Sequence, residues 1–138
     1  MNIYIAAPWI HKADALAAQV ALEAVGHTVV SHWIKYHSDA VIGAPDDFHE
    51  LRTQALEDVK DLAESHVLVL LNLSKSEGKA TELGFALSLD LRVVLVGERT
   101  QIFHYMPGVE VVATVAEAVA LLHPIPDHDT RAAITHRR

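Results

Sequence analysis

A glutamate in the segment 76–86, with the sequence SEGKATELGFA, is well placed for chemistry. The segment follows a strand-like apolar run at 66–71 and opens a helical pattern. It therefore lies at the carboxyl end of a predicted parallel strand, where open α/β sheets bind ligands. On the predicted helix, Glu82 has apolar residues three, four and seven positions further on: Phe85, Ala86 and Leu89. A carboxylate on an apolar face is costly to desolvate and often has a chemical role, so we predict that Glu82 is functional.

Aromatic side chains are concentrated in the loops that follow the predicted strands. These loops are 7–12, 32–45, 72–77 and 97–107. Both tryptophans, Trp9 and Trp33, fall within them. The same loops carry further aromatic and hydroxyl side chains: Tyr36, Ser74, Ser76, Phe103, His104 and Tyr105. Flat rings beside hydroxyls and a carboxylate suit a planar heterocycle attached to a sugar.

A second carboxylate is needed for glycosidic chemistry, because one group attacks while the other manages the proton. The predicted helix before the third strand offers four: Glu57, Asp58, Asp61 and Glu64. Helical spacing places Asp58 at the border of the predicted inward stripe, which consists of Phe48, Leu51, Ala55, Val59 and Leu62. Asp61 aligns with Gln54 and Glu57 on the polar face. We therefore expect only Asp58 to reach inward.

The elements that must position these residues are strands and helices in alternation. Strand-like runs occupy residues 3–6, 27–31, 66–71, 92–96 and 109–112. Helical patterns occupy residues 14–25, 78–89 and 115–122. A further helix is predicted to begin after Asp46 and Asp47, which can cap it, and to run to about residue 64. A long loop is predicted at 32–45. Near-continuous apolar strands indicate a sheet buried on both faces, and alternation with helices indicates a parallel one. The predicted fold is α/β: a flavodoxin-like, doubly wound, five-stranded parallel sheet with helices on both faces.

Composition limits the classes of function. The chain has 138 residues, which suits one domain, predicted at 1–123, and a polar tail at 124–138. The net charge of −7 argues against binding to a nucleic-acid polymer, and the absence of cysteine excludes disulfides and thiolate chemistry. No apolar stretch approaches the length of a membrane span, and no signal peptide is evident. We therefore expect a cytoplasmic protein that does not associate with membranes.

Four short motifs point to one family. They are IYIAAPW at 3–9, Glu57-Asp58-Val59, AESH at 63–66, and Gly78-x-x-x-Glu82-Leu83-Gly84-x-Ala86. In these motifs the sequence resembles the nucleoside 2-deoxyribosyltransferase family, which includes related nucleotide N-glycosidases. The resemblance covers roughly residues 1–122 in the same order, and the last motif is the most specific.

The resemblance implies roles for individual residues. Glu82 would be the nucleophile on the anomeric carbon of the sugar, and Asp58 would handle the proton of the base. Substrate-binding roles would fall to residues near the strand ends: Tyr4, Pro8, Trp9, Trp33, Ser76, Gly78 and His104. A neighbouring subunit often completes the site, so a homodimer or a higher homo-oligomer with shared sites is expected.

Several of these residues also have an ordinary structural interpretation. Tyr4 could belong to the core, with its hydroxyl satisfied at the strand end. Trp33 is as suited to covering an interface as to stacking on a base, and Ser76 could simply cap the following helix. His104 borders the predicted cleft, where it could meet a phosphate or a partner's site. The sequence leaves these alternatives open.

The function implied is cleavage of the N-glycosidic bond of a (deoxy)nucleoside or its 5′-monophosphate through a covalent glycosyl–Glu82 intermediate. The sugar would pass to water or to another base. Ala7 stands where the family usually has glycine, and Ser65-His66 replaces the usual Ala-Asp. The tail lacks a counterpart of the residues that some transferases send into a neighbouring site, so hydrolase and transferase both remain open. A non-catalytic nucleotide-sensing module on the same fold is the alternative.

No metal and no cofactor are predicted. The ten histidines show no HExxH or comparable ligand spacing. The turn after the first strand, Ala6-Ala7-Pro8, lacks the acidic pair of a phospho-receiver and the hydroxyl- and glycine-rich loop of a flavin carrier. The predicted partner is therefore a small-molecule nucleoside or nucleotide.

Overall fold

The computed structural model describes residues 1–123, which form one five-stranded, fully parallel sheet. Its strands are β1 (Asn2–Ala6), β2 (Thr28–Val29), β3 (Val67–Asn72), β4 (Arg92–Gly97) and β5 (Val109–Val112). They lie in the order β2-β1-β3-β4-β5, which is the flavodoxin-like order. The predicted fold class is thus confirmed. The predicted tail at 124–138 lies outside the described residues, so the division into domain and tail stays a prediction.

Helices cover both faces of the sheet. They are α1 (Lys12–Ala24), α2 (Trp33–Tyr36), α3 (Phe48–Ala63), α4 (Glu77–Ser88) and α5 (Val115–Leu122). Helix α1 packs against α5, while α3 packs against α4, so each pair covers one face. None of the helices in the described part of the chain combines the length and the hydropathy that crossing a membrane requires.

The central strands are buried along their whole length, as their continuous apolar runs predict. In β3, every residue from Val67 to Leu71 is almost completely inaccessible to solvent. Its neighbour β1 pairs with it in register, with Tyr4 beside Leu68. The chain leaves β1 towards β2 on one side and returns to β3 on the other side. Such a reversal opens a crevice at the carboxyl ends of β1 and β3.

The predicted loop at 32–45 was wrong at its start, because it contains the short helix α2. Trp33 and Ile34 in this helix are buried. The indole Nε1 of Trp33 donates a hydrogen bond of 2.7 Å to the carbonyl of Ile5 on β1. Burial of the two apolar side chains, together with this bond, fixes the turn against the sheet. The predicted second strand, 27–31, is correspondingly shorter in the structure.

The orientation of α3 also differs from the prediction. Asp61 was expected on the polar face, but it is only 1% exposed, while Phe48, Ala55 and Val59 of the predicted inward stripe are exposed. The reason is a tertiary contact: the Asp61 carboxylate accepts hydrogen bonds from the backbone N and the Nδ1 of His32, at 3.0 and 2.9 Å. The contact turns the carboxylate face of α3 towards α2 and the crevice.

Candidate active site

A pocket opens at the carboxyl ends of β1 and β3, in the crevice where the strand order reverses. It has a volume of about 150 Å³ and is lined by Ala7, Trp9, Trp33, His37, Asp58, Ser76, Gly78, Lys79 and Glu82. Ligand sites commonly span about 300–1,000 Å³. A nucleoside would therefore fill the pocket and extend through its mouth. Helix α3 contributes Asp58 and helix α4 contributes Glu82 to this pocket, so the two candidate carboxylates lie at one site.

Tyr4 links the sheet to these carboxylates from below. Its side chain on β1 is fully buried, and its hydroxyl donates a hydrogen bond to Oε2 of Glu82. Burial, followed by the charges of Glu82 and Asp58, raises the pKa of Tyr4 far above its usual range. The phenol therefore remains a hydrogen-bond donor. Tyr4 is therefore part of the core, which was one of its two sequence-based interpretations, and its hydroxyl also positions the candidate nucleophile.

The two carboxyl groups have strongly perturbed acidities. Burial raises the pKa of Glu82 to about 8, and the charge of Asp58 adds to this, whereas the bond from Tyr4 opposes it. Burial also raises the pKa of Asp58 to about 7, with the charges of Asp61 and Glu57 acting in the same direction and Tyr4 against it. The groups interact, so they titrate as a pair. Near neutral pH the pair therefore retains a proton, which a general acid requires.

The burial of Glu82 comes from the sheet more than from its own helix. Of the three apolar neighbours that singled it out in the sequence, only Ala86 is buried. Phe85 is 39% exposed and Leu89 is 47% exposed. The expectation of an inward apolar face was therefore wrong for these two positions, because α4 faces the sheet through Lys79, Leu83 and Ala86. Glu82 is held at the border of that face by Tyr4.

Two tryptophans form an aromatic wall of the pocket. Their ring centroids lie 6.1 Å apart with the planes tilted by 43°. Trp33 is buried and tied to β1, so it has a structural role besides lining the pocket. Trp9 is 44% exposed, and the ammonium of Lys12 lies 4.5 Å from its ring centre. Trp9 therefore offers a partly open aromatic surface to a planar ligand.

The amino end of α4 forms another wall. Ser76 caps the helix by accepting a hydrogen bond of 3.2 Å from the backbone N of Lys79, and it also lines the pocket. Gly78 lines the pocket beside it, in the first turn, where backbone N–H groups have no partner within the helix. Lys79 is buried, and its Nζ donates to Oδ1 of Asn72 and the carbonyl of Ser74, both at 2.5 Å. Burial lowers the pKa of Lys79. This wall suits sugar hydroxyls or a phosphate.

Sequence reasoning missed His37 as a site residue. It follows the last residue of α2, its side chain is 8% exposed, and its Nε2 lies 3.1 Å from Oδ1 of Asp58. The Oε1 atom of Glu57 is 3.6 Å away from the same nitrogen. Burial lowers the pKa of His37 and outweighs the acidic neighbours. No periodic pattern marks the position, and only its place in a strand-end loop could have indicated it.

Comparison with solved structures finds the same fold in two enzymes. The chain is similar to a 2-deoxyribosyltransferase from Bacillus psychrosaccharolyticus, with a TM-score of 0.66 and 19% identity over 94% of this chain and 95% of that one. It is also similar to the CMP N-glycosidase of Clostridium botulinum, with a TM-score of 0.52 and 16% identity over 88% of this chain and 98% of that one. The chain shares the fold of these two enzymes. They represent the two activities of the family that the motifs resemble. No family model and no curated protein matches the sequence.

Three residues of the predicted binding set do not line the pocket, namely Tyr4, Pro8 and His104. Tyr4 lies beneath Glu82 in the core. Pro8 precedes the turn Trp9–His11, where its carbonyl accepts a hydrogen bond of 2.8 Å from the backbone N of His11. It therefore shapes the turn that presents Trp9. His104 is buried, and its Nδ1 accepts a hydrogen bond of 3.0 Å from the backbone N of Thr100. A substrate contact by any of these three residues stays a prediction.

A group of possible metal ligands adjoins the pocket. In the described part of the chain, His32, Glu57 and Asp61 offer ligand atoms within 4.8 Å of one another. Asp61 is already bound by the backbone N and Nδ1 of His32, so these contacts account for its buried charge. The fold explains the cluster as a clamp between α3 and α2. The expectation that the protein needs no metal stays a prediction.

Proposed function

We propose that this protein cleaves the N-glycosidic bond of a (deoxy)nucleoside or a (deoxy)nucleoside 5′-monophosphate. The sugar passes through a covalent ester with Glu82 and then goes to water or to another base. The observation that carries the proposal is the placement of Glu82 and Asp58 in one pocket, both influenced by the hydroxyl of Tyr4. Paired carboxylates with raised pKa values in a strand-end crevice are the arrangement that glycosyl transfer uses.

In the first step, a carboxylate oxygen of Glu82 attacks the anomeric carbon. The carbon–nitrogen bond breaks, its electron pair stays on the base, and the proton of Asp58 moves to the base as it leaves. The step requires Glu82 to be ionised and Asp58 to be protonated. The pKa of Glu82, about 8, lies above that of Asp58, about 7, so the proton that the pair retains has to move from Glu82 to Asp58 before the attack. The hydrogen bond from Tyr4 favours the ionised form of Glu82, because a donor stabilises a carboxylate.

In the second step, the ionised Asp58 takes a proton from water, and the water oxygen bonds to the anomeric carbon while the Glu82 carboxylate departs. Two displacements at the same carbon give net retention of configuration. If a second base enters instead, the product is a new nucleoside. The same residues serve both outcomes, so acceptor access decides between a hydrolase and a transferase.

Binding follows the walls of the pocket. The base stacks against Trp9 beside Trp33, which brings its glycosidic nitrogen towards Asp58. The sugar, with any 5′-phosphate, lies at the amino end of α4, where Ser76, Gly78 and Lys79 offer donors. The open mouth of the pocket and the exposed Phe85 and Leu89 on α4 support a homo-oligomer in which a second copy helps to enclose the ligand.

A nucleotide-sensing module without catalysis is the competing function. A sensor has no use for two carboxyl groups with raised pKa values. Across residues 1–123, neither Glu82 nor Asp58 forms an ion pair with a lysine or arginine. The two carboxylates therefore do not serve as structural ion-pair partners of basic residues in this part of the chain, and this favours a catalytic role.

The test is an incubation with ribo- and deoxynucleosides and their 5′-monophosphates, each with and without a free acceptor base. Chromatography identifies free base, free sugar and exchanged nucleoside. We expect base release by the native protein and a loss of about 100-fold or more in Glu82→Gln and Asp58→Asn. Glu77→Gln, an exposed substitution on the same helix, is the matched control and should behave as native. A fully active Glu82→Gln protein refutes the mechanism, and ligand binding without any base release supports the sensor.

A further inference from the structure

The contact between His37 and Asp58 contains two buried polar atoms that the fold leaves without partners. Nε2 of His37 and Oδ1 of Asp58 are inaccessible to solvent, and neither has a hydrogen-bond partner among residues 1–123. They lie 3.1 Å apart, which is a hydrogen-bonding distance, but the alignment does not make the bond. Buried polar groups are almost always paired, so an unpaired couple at the wall of a pocket indicates a contact made during function.

We propose that His37 is a positioning residue whose Nε2–H binds Oδ1 of Asp58 when Asp58 has given its proton to the leaving base. The inference rests on the proposed function, because it assigns a partner to the general acid of that reaction. His37 stays neutral, since it loses and gains no proton. It holds the side chain of Asp58 in place and stabilises the carboxylate that forms.

The position of the proton at each step decides when the hydrogen bond between His37 and Asp58 is needed. In the reactive form of the pair, Asp58 holds the shared proton, and this proton serves the base. As the carbon–nitrogen bond breaks, that proton moves to the base nitrogen, and Asp58 becomes an anion in a partly buried site. A donor that binds only the anion lowers the barrier, because it acts in the transition state and not in the ground state. When water attacks, Asp58 regains a proton and the bond to His37 weakens again.

The surroundings determine the charge of His37. Acidic groups on α3 face it, namely Glu50, Glu57 and Asp61, and the ammonium of Lys12 on α1 opposes them. Burial outweighs these charges and lowers the pKa of His37, which favours the neutral imidazole. Asp58 itself is faced by four other ionisable groups: Glu57 and Asp61 from its own helix, Tyr4 from β1 and Glu82 from α4. Tyr4 is the one donor among these neighbours and the others are acidic, so an anionic Asp58 gains support from a second donor such as His37.

The loop that carries His37 is held firmly enough for this role. At its start, His32 is bound twice by the buried Asp61, and Trp33 is bound to β1. Helix α2 then ends at Tyr36, directly before His37. The imidazole is thus placed against Asp58 by two separate anchors, one on α3 and one on the sheet. A positioning residue requires such support from rigid elements.

Three variants test the inference in the full-length protein. His37→Leu removes the donor, and His37→Gln places an amide N–H close to the position of Nε2. His49→Leu, at an exposed histidine of α3, is the matched control. We expect His37→Leu to lower kcat/KM by about 10- to 100-fold, the effect of a hydrogen bond to a charged group, with most of the loss recovered in His37→Gln. Loss of the donor also disfavours the Asp58 anion, so the alkaline limb of the pH profile moves to higher pH by about one to two units.

A leaving group that needs no proton gives a second readout. A 7-methylguanine nucleoside carries a cationic base, which departs as a neutral molecule. We measure the first base release, in a single turnover, so that the later water step, in which Asp58 is the base, does not contribute. For this substrate we expect His37→Leu and Asp58→Asn to stay within about threefold of the native protein, while Glu82→Gln remains inactive, because only the acid step is bypassed. Spontaneous base loss is subtracted with a sample lacking protein. If purines are refused, 5-fluorouracil and uracil nucleosides provide the same comparison, since the fluorinated base leaves more readily.

Each outcome is decisive. A native pH profile and native rates for His37→Leu overturn the inference, and so does an equal loss on both leaving groups, which would indicate a purely structural role. If His37→Leu does not fold, as judged by thermal unfolding, His37→Phe, which keeps a flat ring without a donor, replaces it: a loss with the cationic base as large as with the ordinary base contradicts us. An active Glu82→Gln protein contradicts the proposed function itself. If Glu82→Gln and Asp58→Asn are inactive but the His37 variants are unaffected, only the role of His37 is contradicted.

Discussion

Removing the charge of Glu82 should stabilise the protein at alkaline pH while it abolishes activity. Burial raises the pKa of Glu82 from 4.5 to about 8, so the folded protein holds a proton that the unfolded chain has already released. When the folded state binds more protons than the unfolded state, the free energy of unfolding falls as pH rises. The loss begins near the unfolded pKa and is complete above the folded one. Glu82 therefore destabilises the fold at pH 8 and above, and much less near pH 5.

The magnitude follows from the shift. A difference of about 3.5 pKa units corresponds to about 5 kcal/mol at 1.36 kcal/mol per unit, and this is an upper bound. Glu82 is only partly buried and borders an open pocket, so solvent screens its charge and about 2–3 kcal/mol is the expected gain. Glutamine is isosteric, and its carbonyl oxygen retains an acceptor for the hydroxyl of Tyr4.

The assay is urea unfolding of the native protein and of Glu82→Gln, near pH 5 and near pH 9. We expect the variant to gain about 2–3 kcal/mol relative to the native protein on going from the lower to the higher pH. Glu77→Gln, in the exposed first turn of the same helix, should show the same small difference at both pH values. If Glu82→Gln differs from the native protein by the same amount at both, the raised pKa of Glu82 is refuted, and with it the electrostatic account of the site.

Three further predictions follow from individual hydrogen bonds. Tyr4→Phe removes the donor to Glu82 and should slow base release by about 10- to 100-fold while moving the acidic limb of the pH–rate profile to higher pH. Trp33→Phe leaves the buried carbonyl of Ile5 unpaired and should cost about 1–3 kcal/mol in urea unfolding. Asp61→Asn weakens the clamp on the loop after β2, and we expect KM for the nucleoside to rise more than kcat falls, with a loss of about 1–2 kcal/mol in stability.

The sheet could be predicted from the sequence because its signal is local and continuous. The apolar runs that become β3 and β4 are long and separated by helical patterns, and the bounds of β5 and α5 agree with the prediction to the residue. Parallel strands place their carboxyl ends at one edge, so chain order also places the start of α4, and with it Glu82, at that edge. The meeting with Asp58 depends in addition on the rotation of α3, which a tertiary contact sets.

The orientation of α3 could not be predicted, because a partner far along the chain decides it. A helical stripe indicates which residues share a face, but it does not show what lies opposite. His32, 29 positions before Asp61, provides two donors that make burial of this carboxylate favourable. Phe48 and Val59 are exposed as a result. His37 could not be predicted for the same reason: its position depends on where the loop after β2 is anchored, and the sequence pattern does not show this.

The position of Tyr4 connects these observations. One hydroxyl on strand β1 binds the carboxylate of Glu82 on α4 and influences the carboxyl group of Asp58 on α3. Burial and the two carboxylates keep the phenol protonated, so it remains a fixed donor over the whole range in which Glu82 and Asp58 titrate. The pKa values of Glu82 and Asp58 are therefore set by their burial and by the neutral hydroxyl donor of Tyr4. Because no lysine or arginine in residues 1–123 is ion-paired with either carboxylate, the proton that the mechanism needs can stay in the pocket near neutral pH.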